Sequence, residues 1–380
     1  MIEITDKQKI NDFHEFLNTK RNIKQNTYST STNEKKTKHV TTTTNEPYKI
    51  FCLPTPVPLD ETLLTNNLQK YNYMFYCKKN NPESCSIPAI LAFYINSLTS
   101  QKTIMLYLKN NLYYELNVDD YPLHTNNNNE CDNDGYDCYK NDEPDIIYNL
   151  GTILSCTYYF DTYECICNDM VVFKGIPCYL ESFYTRLDYL CVFFEYYYTT
   201  PSLNKNVLLD IRKERFYNYS DFCFHIQNDN DITSFSSFIF IPCSLPLGIN
   251  IQRTFFFYNK DIYFNLYVSI TENDISLYSV HNDNKEQLVL FASVNRTTPE
   301  GIEFYTKYCS IVESNTAVFH SPPLLMNILY IPESQTFLPQ PIPNAIQFMK
   351  YKECLNLRFL ELLFVTLKNN ISLNNIFSLY

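Results

Sequence analysis

Apolar and polar residues alternate most regularly between Thr254 and Val294. Four runs, Thr254–Tyr258, Ile262–Ile270, Ile275–His281 and Gln287–Val294, are separated by Asn259-Lys260, by Asn273-Asp274 and by a polar loop. A period of two puts successive side chains on opposite faces, and Asn or Asp tolerates the backbone of a tight turn. The pattern predicts four antiparallel strands in one sheet, with hairpin turns at both Asn-led pairs. Further strands are expected at Tyr71–Cys77, Thr152–Phe160, Tyr189–Tyr198, Asp221–Ile226 and Phe235–Cys243. Residues Tyr163–Lys174 read as a hairpin over Asn168-Asp169. A second hairpin joins Ile104–Lys109 to Leu112–Val118 through Asn110-Asn111.

Helical patterns are fewer. Pro88–Leu98 is a continuous apolar run that predicts a helix. Pro343 and Asn344 open a helix running to about Asn369, apolar on most faces and packed on the core. Near the N-terminus, Thr5 or Asp6 caps a short helix with Ile10, Phe13 and Leu17 on one face. The fold class is α+β, strand-rich, with antiparallel sheets and a C-terminal helix on the core. Along the chain, residues 1–46 read as a flexible polar tail holding the short helix, and 47–118 as a mixed segment with a Pro-rich entry. Residues 119–146 are an acidic surface loop, 147–300 an antiparallel β-rich body and 301–380 a helical C-terminal region.

Charge and composition narrow the function classes. The net charge is -11. The first 46 residues carry eight Lys/Arg against six Asp/Glu, so the tail stands at +2 and the rest at -13. An acidic body disfavours nucleic acid. Only five glycines occur, at 135, 151, 175, 248 and 301. Phosphate-cradling loops need several glycines close together, so Walker A, dinucleotide-binding and kinase Gly-rich loops are excluded, as is the G-x-S-x-G nucleophile elbow. Aromatics reach 16% without any Trp, and with the abundant Asn and Ile this points to an AT-rich genome, as in a large DNA virus or an intracellular parasite. The first residues have no apolar stretch of the secretory kind, and no apolar run reaches the ~20 residues of a span. An intracellular, soluble protein without membrane attachment is expected, and its fourteen cysteines are expected to be reduced and metal-free.

Several constellations carry residue types suited to chemistry. Glu130, Asp132 and Asp134 precede Gly135 as in a calcium loop, but Asn141 stands where a bidentate carboxylate is needed, so the segment reads as solvated acid. Cys165 and Cys167 share a strand face, and with Cys156 and Cys178 they supply four thiolates at spacings unlike zinc knuckles. Asp221, Cys223 and His225 alternate on one strand, too far apart for a nucleophile pair. Asp229 and Asp231 read as a turn. The aromatic runs at 193–198 and 255–258 read as core and sheet packing. The basic runs Lys20-Arg21 and Lys35-Lys36-Thr37-Lys38 read as a solvated tail, with a nuclear address or a nucleic-acid contact as the alternatives. No cofactor or metal site and no catalytic residue is selected. The expected function is a non-enzymatic structural or protein-interaction subunit, working by a protein partner or self-assembly. Ile10, Phe13 and Leu17 form its interaction stripe. A clamp-like accessory factor for DNA or RNA and a divergent enzyme with a dispersed thiol or carboxylate site are the alternatives.

Overall fold

The computed structural model describes residues 1–22, 57–58, 72–78, 86–121 (apart from 110), 123, 145–198, 209–218, 221, 237–247, 256–259, 262–281, 286–342 with three short gaps, and scattered positions from 345 to 364. The first strands are β1 (Ile2–Glu3), β2 (Val57–Pro58), β3 (Tyr73–Lys78), β4 (Ser86–Ile95), β5 (Lys102–Leu108) and β6 (Tyr113–Leu116). They are followed by β7 (Thr152–Tyr159), β8 (Glu164–Phe173), β9 (Ile176–Pro177), β10 (Asp210–Lys213), β11 (Phe216–Tyr217) and β12 (Ser237–Pro242). The last six are β13 (Phe256–Asn259), β14 (Ile262–Ile270), β15 (Asp274–Val280), β16 (Leu288–Asn295), β17 (Leu324–Ile331) and β18 (Thr336–Pro339). The helices are α1 (Lys7–Asn22), α2 (Ile146–Asn149), α3 (Phe183–Val192) and α4 (Pro299–Ser314). The strand-rich α+β class is as the sequence predicts.

The chain divides into two units that interleave in sequence. One holds Met1–Thr55, Ser86–Glu214 and Cys243–Ile251; the other holds Pro56–Cys85, Arg215–Pro242 and Gln252–Tyr380.

The first unit is an eight-stranded sheet in the order β1-β6-β5-β4-β7-β8-β10, with β9 also on β8. All pairings are antiparallel except β8 with β10. The run expected as a helix at Pro88–Leu98 is instead β4. An apolar stretch of this length suits a strand buried on both faces as well as a helix, and β4 lies between β5 and β7. Pro88 is tolerated because it is exposed near the strand start, before pairing with β5 begins at Ala89. The β5–β6 hairpin forms as expected, with Asn111 at φ 62.

The expected hairpin over Asn168-Asp169 does not form. β8 runs straight through both residues, and the ladder with β7 shifts register between Ser155 and Cys156 to accommodate the extra residue. Local turn preference is overridden there because Asp169 serves a buried arginine, Arg186. The strand expected at Tyr189–Tyr198 is also corrected. Ser182 caps α3 by accepting from the Thr185 N–H at 3.3 Å, and Phe193–Tyr197 continues it as a wide π turn closed by Tyr198 N–H donating to the Phe193 carbonyl at 2.9 Å. Burying Phe193 and Tyr197 outweighs the strand preference of aromatics.

The first helix lies on this sheet. Phe13 and Leu17 are fully buried against Ile90, Ala92, Tyr94, Met105 and Tyr107, with Ile10 packed at the margin. Alternating positions of β4 and β5 share that face. Phe16 stacks on Tyr94 at 4.6 Å. Lys9 pairs with Glu115 at 2.8 Å, and Asp12 bonds Ser97. The stripe expected to meet a partner is therefore spent on the chain's own sheet, because a short apolar helix gains most by burying that face at once.

The second unit holds two five-stranded sheets, ordered β11-β3-β12-β13-β2 and β16-β15-β14-β17-β18. The expected single meander is thus split. β13 pairs with β12 and β2, while β14 pairs with β15 and β17, so the two strands belong to different sheets; Lys260 of the expected turn lies outside the described residues. The β14–β15 hairpin does form, closed by Thr271 N–H donating to the Asp274 carbonyl at 2.9 Å. Residues 301–380 supply β17 and β18 as well as helix. The C-terminal helical region packs on the core, but Cys354–Asn356 interrupt it. There the Leu355 N–H donates to the Asn265 carbonyl at 3.0 Å, and the Leu355 carbonyl accepts from Val280 at 3.3 Å. Beyond the break Phe364 stacks on Phe264 at 5.7 Å.

Candidate functional site

Two features stand out, one sealed and one open. The sealed one is Arg186 with Asp169, both with no exposed side-chain surface. Asp169 enters from β8 and Arg186 from α3. The guanidinium Nε donates to Oδ1 at 2.9 Å and Nη2 to Oδ2 at 3.0 Å, a two-pronged pair. Nη1 donates to the carbonyls of Glu181 and Leu245 at 2.7 and 3.2 Å. Four of the five guanidinium donor hydrogens are thereby used, and the ring of Phe183 lies 5.3 Å away. Burial pushes the Asp169 carboxyl above the usual carboxylate range, and Arg186 pulls it back. The arrangement ties the strand, the helix entry and the chain at Leu245 together. It has no face open to a substrate.

Thiols form a second buried group. Cys156 and Cys167 are cross-strand partners and Cys165 lies two residues before Cys167, so the row expected from the sequence is present on β7 and β8. Burial pushes Cys167 well above the ordinary thiol range, while hydrogen bonds from Cys156 and Cys167 draw Cys165 below it. Cys178 stands apart, on the turn after β9, and burial pushes it up to about 12. The nine described cysteines are free thiols, and among the described residues no three His, Cys, Asp or Glu side chains are grouped to hold a metal. We predict that, among the described cysteines, a thiol-alkylating reagent at pH 8 labels the half-buried Cys77, Cys191 and Cys309 ahead of Cys178, which is spared until the chain unfolds. Peptide mapping by mass spectrometry reads the order; labelling of Cys178 at the rate of Cys309 would show that its turn is open.

The open feature is β16, the outer strand of its sheet. None of its eight residues is buried. Leu288 and Leu290 are 36% and 56% exposed. The strand carries no charged residue and no proline. Phe291 is the extra residue where the ladder with β15 shifts register, and its ring turns inward to Phe264 and Phe364. β16 is held at its far end by α4. The Thr298 hydroxyl accepts from the Gly301 N–H at 3.1 Å, and a Cβ at Gly301 would stand 2.0 Å from the Asn295 carbonyl oxygen.

The other sequence candidates are placed as follows. Glu130–Asn141, Cys223, His225, Asp229, Asp231 and Lys35–Lys38 lie outside the described residues. Asp221 is described, at a helical position, with its N–H donating to the Asn218 side chain at 2.8 Å, and the rest of the strand expected at Asp221–Ile226 lies outside the described residues. Lys20 donates to the Leu150 carbonyl at 2.6 Å, so it serves the docking of α1. Sequence reading missed both Arg186–Asp169 and the β16 edge. The available signals were a lone Arg in an aromatic helix and an uncharged apolar strand flanked by Glu286 and Arg296.

No family model matches the chain, and no curated protein matches it. Among solved structures, a chain described as "Pmar-Lig_PreS3" aligns at TM-score 0.32 and 9% identity, over 77% of this chain and 66% of that one. Another, described as "DNA binding with a minimal scaffold: Structure-function analysis of Lig E DNA ligases", aligns at TM-score 0.29 and 8% identity, over 76% of this chain and 100% of that one. Likeness at this level carries no argument about fold or function. Among the described residues no helix is long and apolar enough to cross a membrane.

Proposed function

We propose that the chain is a non-enzymatic structural or protein-interaction subunit, and that it binds through β16 and not through Ile10, Phe13 and Leu17. The observation that carries this reading is an eight-residue edge strand with apolar side chains in water. Such an edge offers backbone donors and acceptors to an added strand, and its outward leucines supply apolar contact. The buried ion pair and thiols support the same reading, since both are spent on holding the fold. The clamp-like and enzymatic alternatives draw on no comparable arrangement.

The test places a charge on the strand. In extracts of the native source, the chain is expected to sediment within an assembly heavier than its own 45.0 kDa. Leu290→Lys is expected to release it as a free chain with an unchanged melting temperature. A wild-type chain that sediments alone, or a variant that stays in the assembly, would refute a role for this edge.

A further inference from the structure

Cys191 stands in the last turn of α3, half-buried, just before the π turn Phe193–Tyr197. Lys213 ends β10, the outer strand of the first unit's sheet, 22 positions away in sequence. Its ammonium donates to the Cys191 sulfur at 3.2 Å. The carboxylate of Glu195, on the π turn, lies 4.0 Å from the same ammonium. The backbone fixes both ends of this contact. β10 pairs in parallel with β8, with Lys213 against Cys167, and α3 is bound to β8 through the sealed Arg186–Asp169 pair. A π turn departs from regular helix geometry, and such turns occur frequently at functional sites. The lysine stem is the flexible part of the arrangement, so nitrogen can close on sulfur without movement of strand or helix.

We propose that Cys191 and Lys213 are a covalent modification site, at which dioxygen joins the thiol and the amine through a single oxygen atom, Sγ–O–Nζ. The ammonium first sheds one proton to solvent, which frees its lone pair. The S–H bond, one N–H bond and the O–O bond then break, and one S–O and one O–N bond form. Sulfur and nitrogen each give up two electrons. The four electrons reduce both oxygen atoms, of which one stays in the bridge and the other leaves as water with the two hydrogens. The two side chains and dissolved oxygen supply every atom. Proximity favours the reaction, because a thiol and an amine held in contact meet as parts of one molecule. Cys191 is half-buried and within reach of dissolved oxygen, whereas Cys165 and Cys167 on the neighbouring strand are fully buried. The bridge fastens the outer strand to the helix, beyond the ladder that β10 makes with β8. A reducing thiol reverses it, as it does the early products of cysteine oxidation.

Mass spectrometry of the purified full chain tests this. After incubation in air-saturated buffer without reductant, the digested wild type is expected to yield a linked pair of peptides that has gained one oxygen atom and lost two hydrogens. Fragmentation is expected to place the link between Cys191 and Lys213. Dithiothreitol is expected to return the unlinked peptides, and a chain kept free of dioxygen is expected never to lose them. Cys191→Ser and Lys213→Arg are each expected to abolish the link. The arginine keeps a positive charge and a hydrogen-bond donor beside the sulfur but offers no amine, so it separates bridging from simple oxidation of the thiol. Oxygen gained at Cys191 without loss of hydrogen, in the wild type and in Lys213→Arg alike, would assign the chemistry to the thiol alone and overturn the proposal. A disulfide from Cys191 to another cysteine would overturn it too, as would a Cys191 peptide whose mass does not change. None of these outcomes touches the β16 edge, so the interaction reading is tested separately.

Discussion

Replacing Arg186 with Met is expected to destabilise the chain by about 3–5 kcal/mol, because it leaves Asp169 charged, buried and without its partner. The same change strips the Glu181 and Leu245 carbonyls of their donor. Asp169→Asn keeps the shape of the carboxylate but leaves the guanidinium unbalanced, and a loss of similar size is expected. The informative variant is the double replacement Asp169→Leu with Arg186→Met. Desolvating two ions offsets much of their attraction, so well-packed apolar side chains of similar volume are expected to bring stability back to the wild-type value or above it. Urea titration followed by circular dichroism measures all three. Equal losses in the double variant and the singles would show that the pair itself is net stabilising. The pH dependence has a definite sign. The folded Asp169 holds its proton more tightly than an unfolded aspartate, so between the two pKa values the folded state binds more protons and stability falls as pH rises. This carboxyl therefore contributes nothing to acid unfolding, and Asp169→Asn is expected to remove that slope.

The second large effect is at Phe13. Truncation to Ala is expected to cost about 3–5 kcal/mol through lost burial and the cavity left against Tyr94, Tyr107 and Tyr113. A thermal melt read by tyrosine fluorescence reports it. The expectation also separates two views of the N-terminus. If α1 were an arm held ready for a partner, Phe13→Ala would leave the melting temperature of the free chain unchanged. Docked as it is on the sheet, it takes part in the unit's stability, and deletion of residues 1–46 would expose Ile90, Ala92 and Tyr94.

What the sequence made legible follows from how far each signal reaches. β14 alternates buried and half-buried residues along its length, and the period-two pattern located it. β5 and β6 are located by the Asn110-Asn111 pair between two apolar runs, although β5 itself is buried on both faces. β4 was misread because both its faces are covered: Leu91 and Phe93 on one, Ile90 and Ala92 on the other, all fully buried. A strand without a wet face carries no alternation. Asn168-Asp169 looked like a turn because local preference cannot see Arg186, which reaches Asp169 from another element. The split of the meander had the same origin. β13 follows the pattern of its neighbours, but its ladder partners β12 and β2 lie elsewhere in sequence. The edge status of β16 is likewise a property of sheet order, which no local pattern records.

The interleaving of the two units bears on how the chain is made. The unit that begins at Met1 closes only with the segment Cys243–Ile251, which carries the Leu245 carbonyl bound by Arg186 and the Leu247 buried in its core. During synthesis from the N-terminus, its sheet is laid down while β3 waits for β11 and β12, and β2 waits for β13. Neither unit can be finished before the ribosome has passed well beyond its first strands. The nascent chain must carry unpaired apolar strands for much of its elongation, and a protein built this way is expected to depend on holding chaperones more than a chain of the same size whose units follow one another.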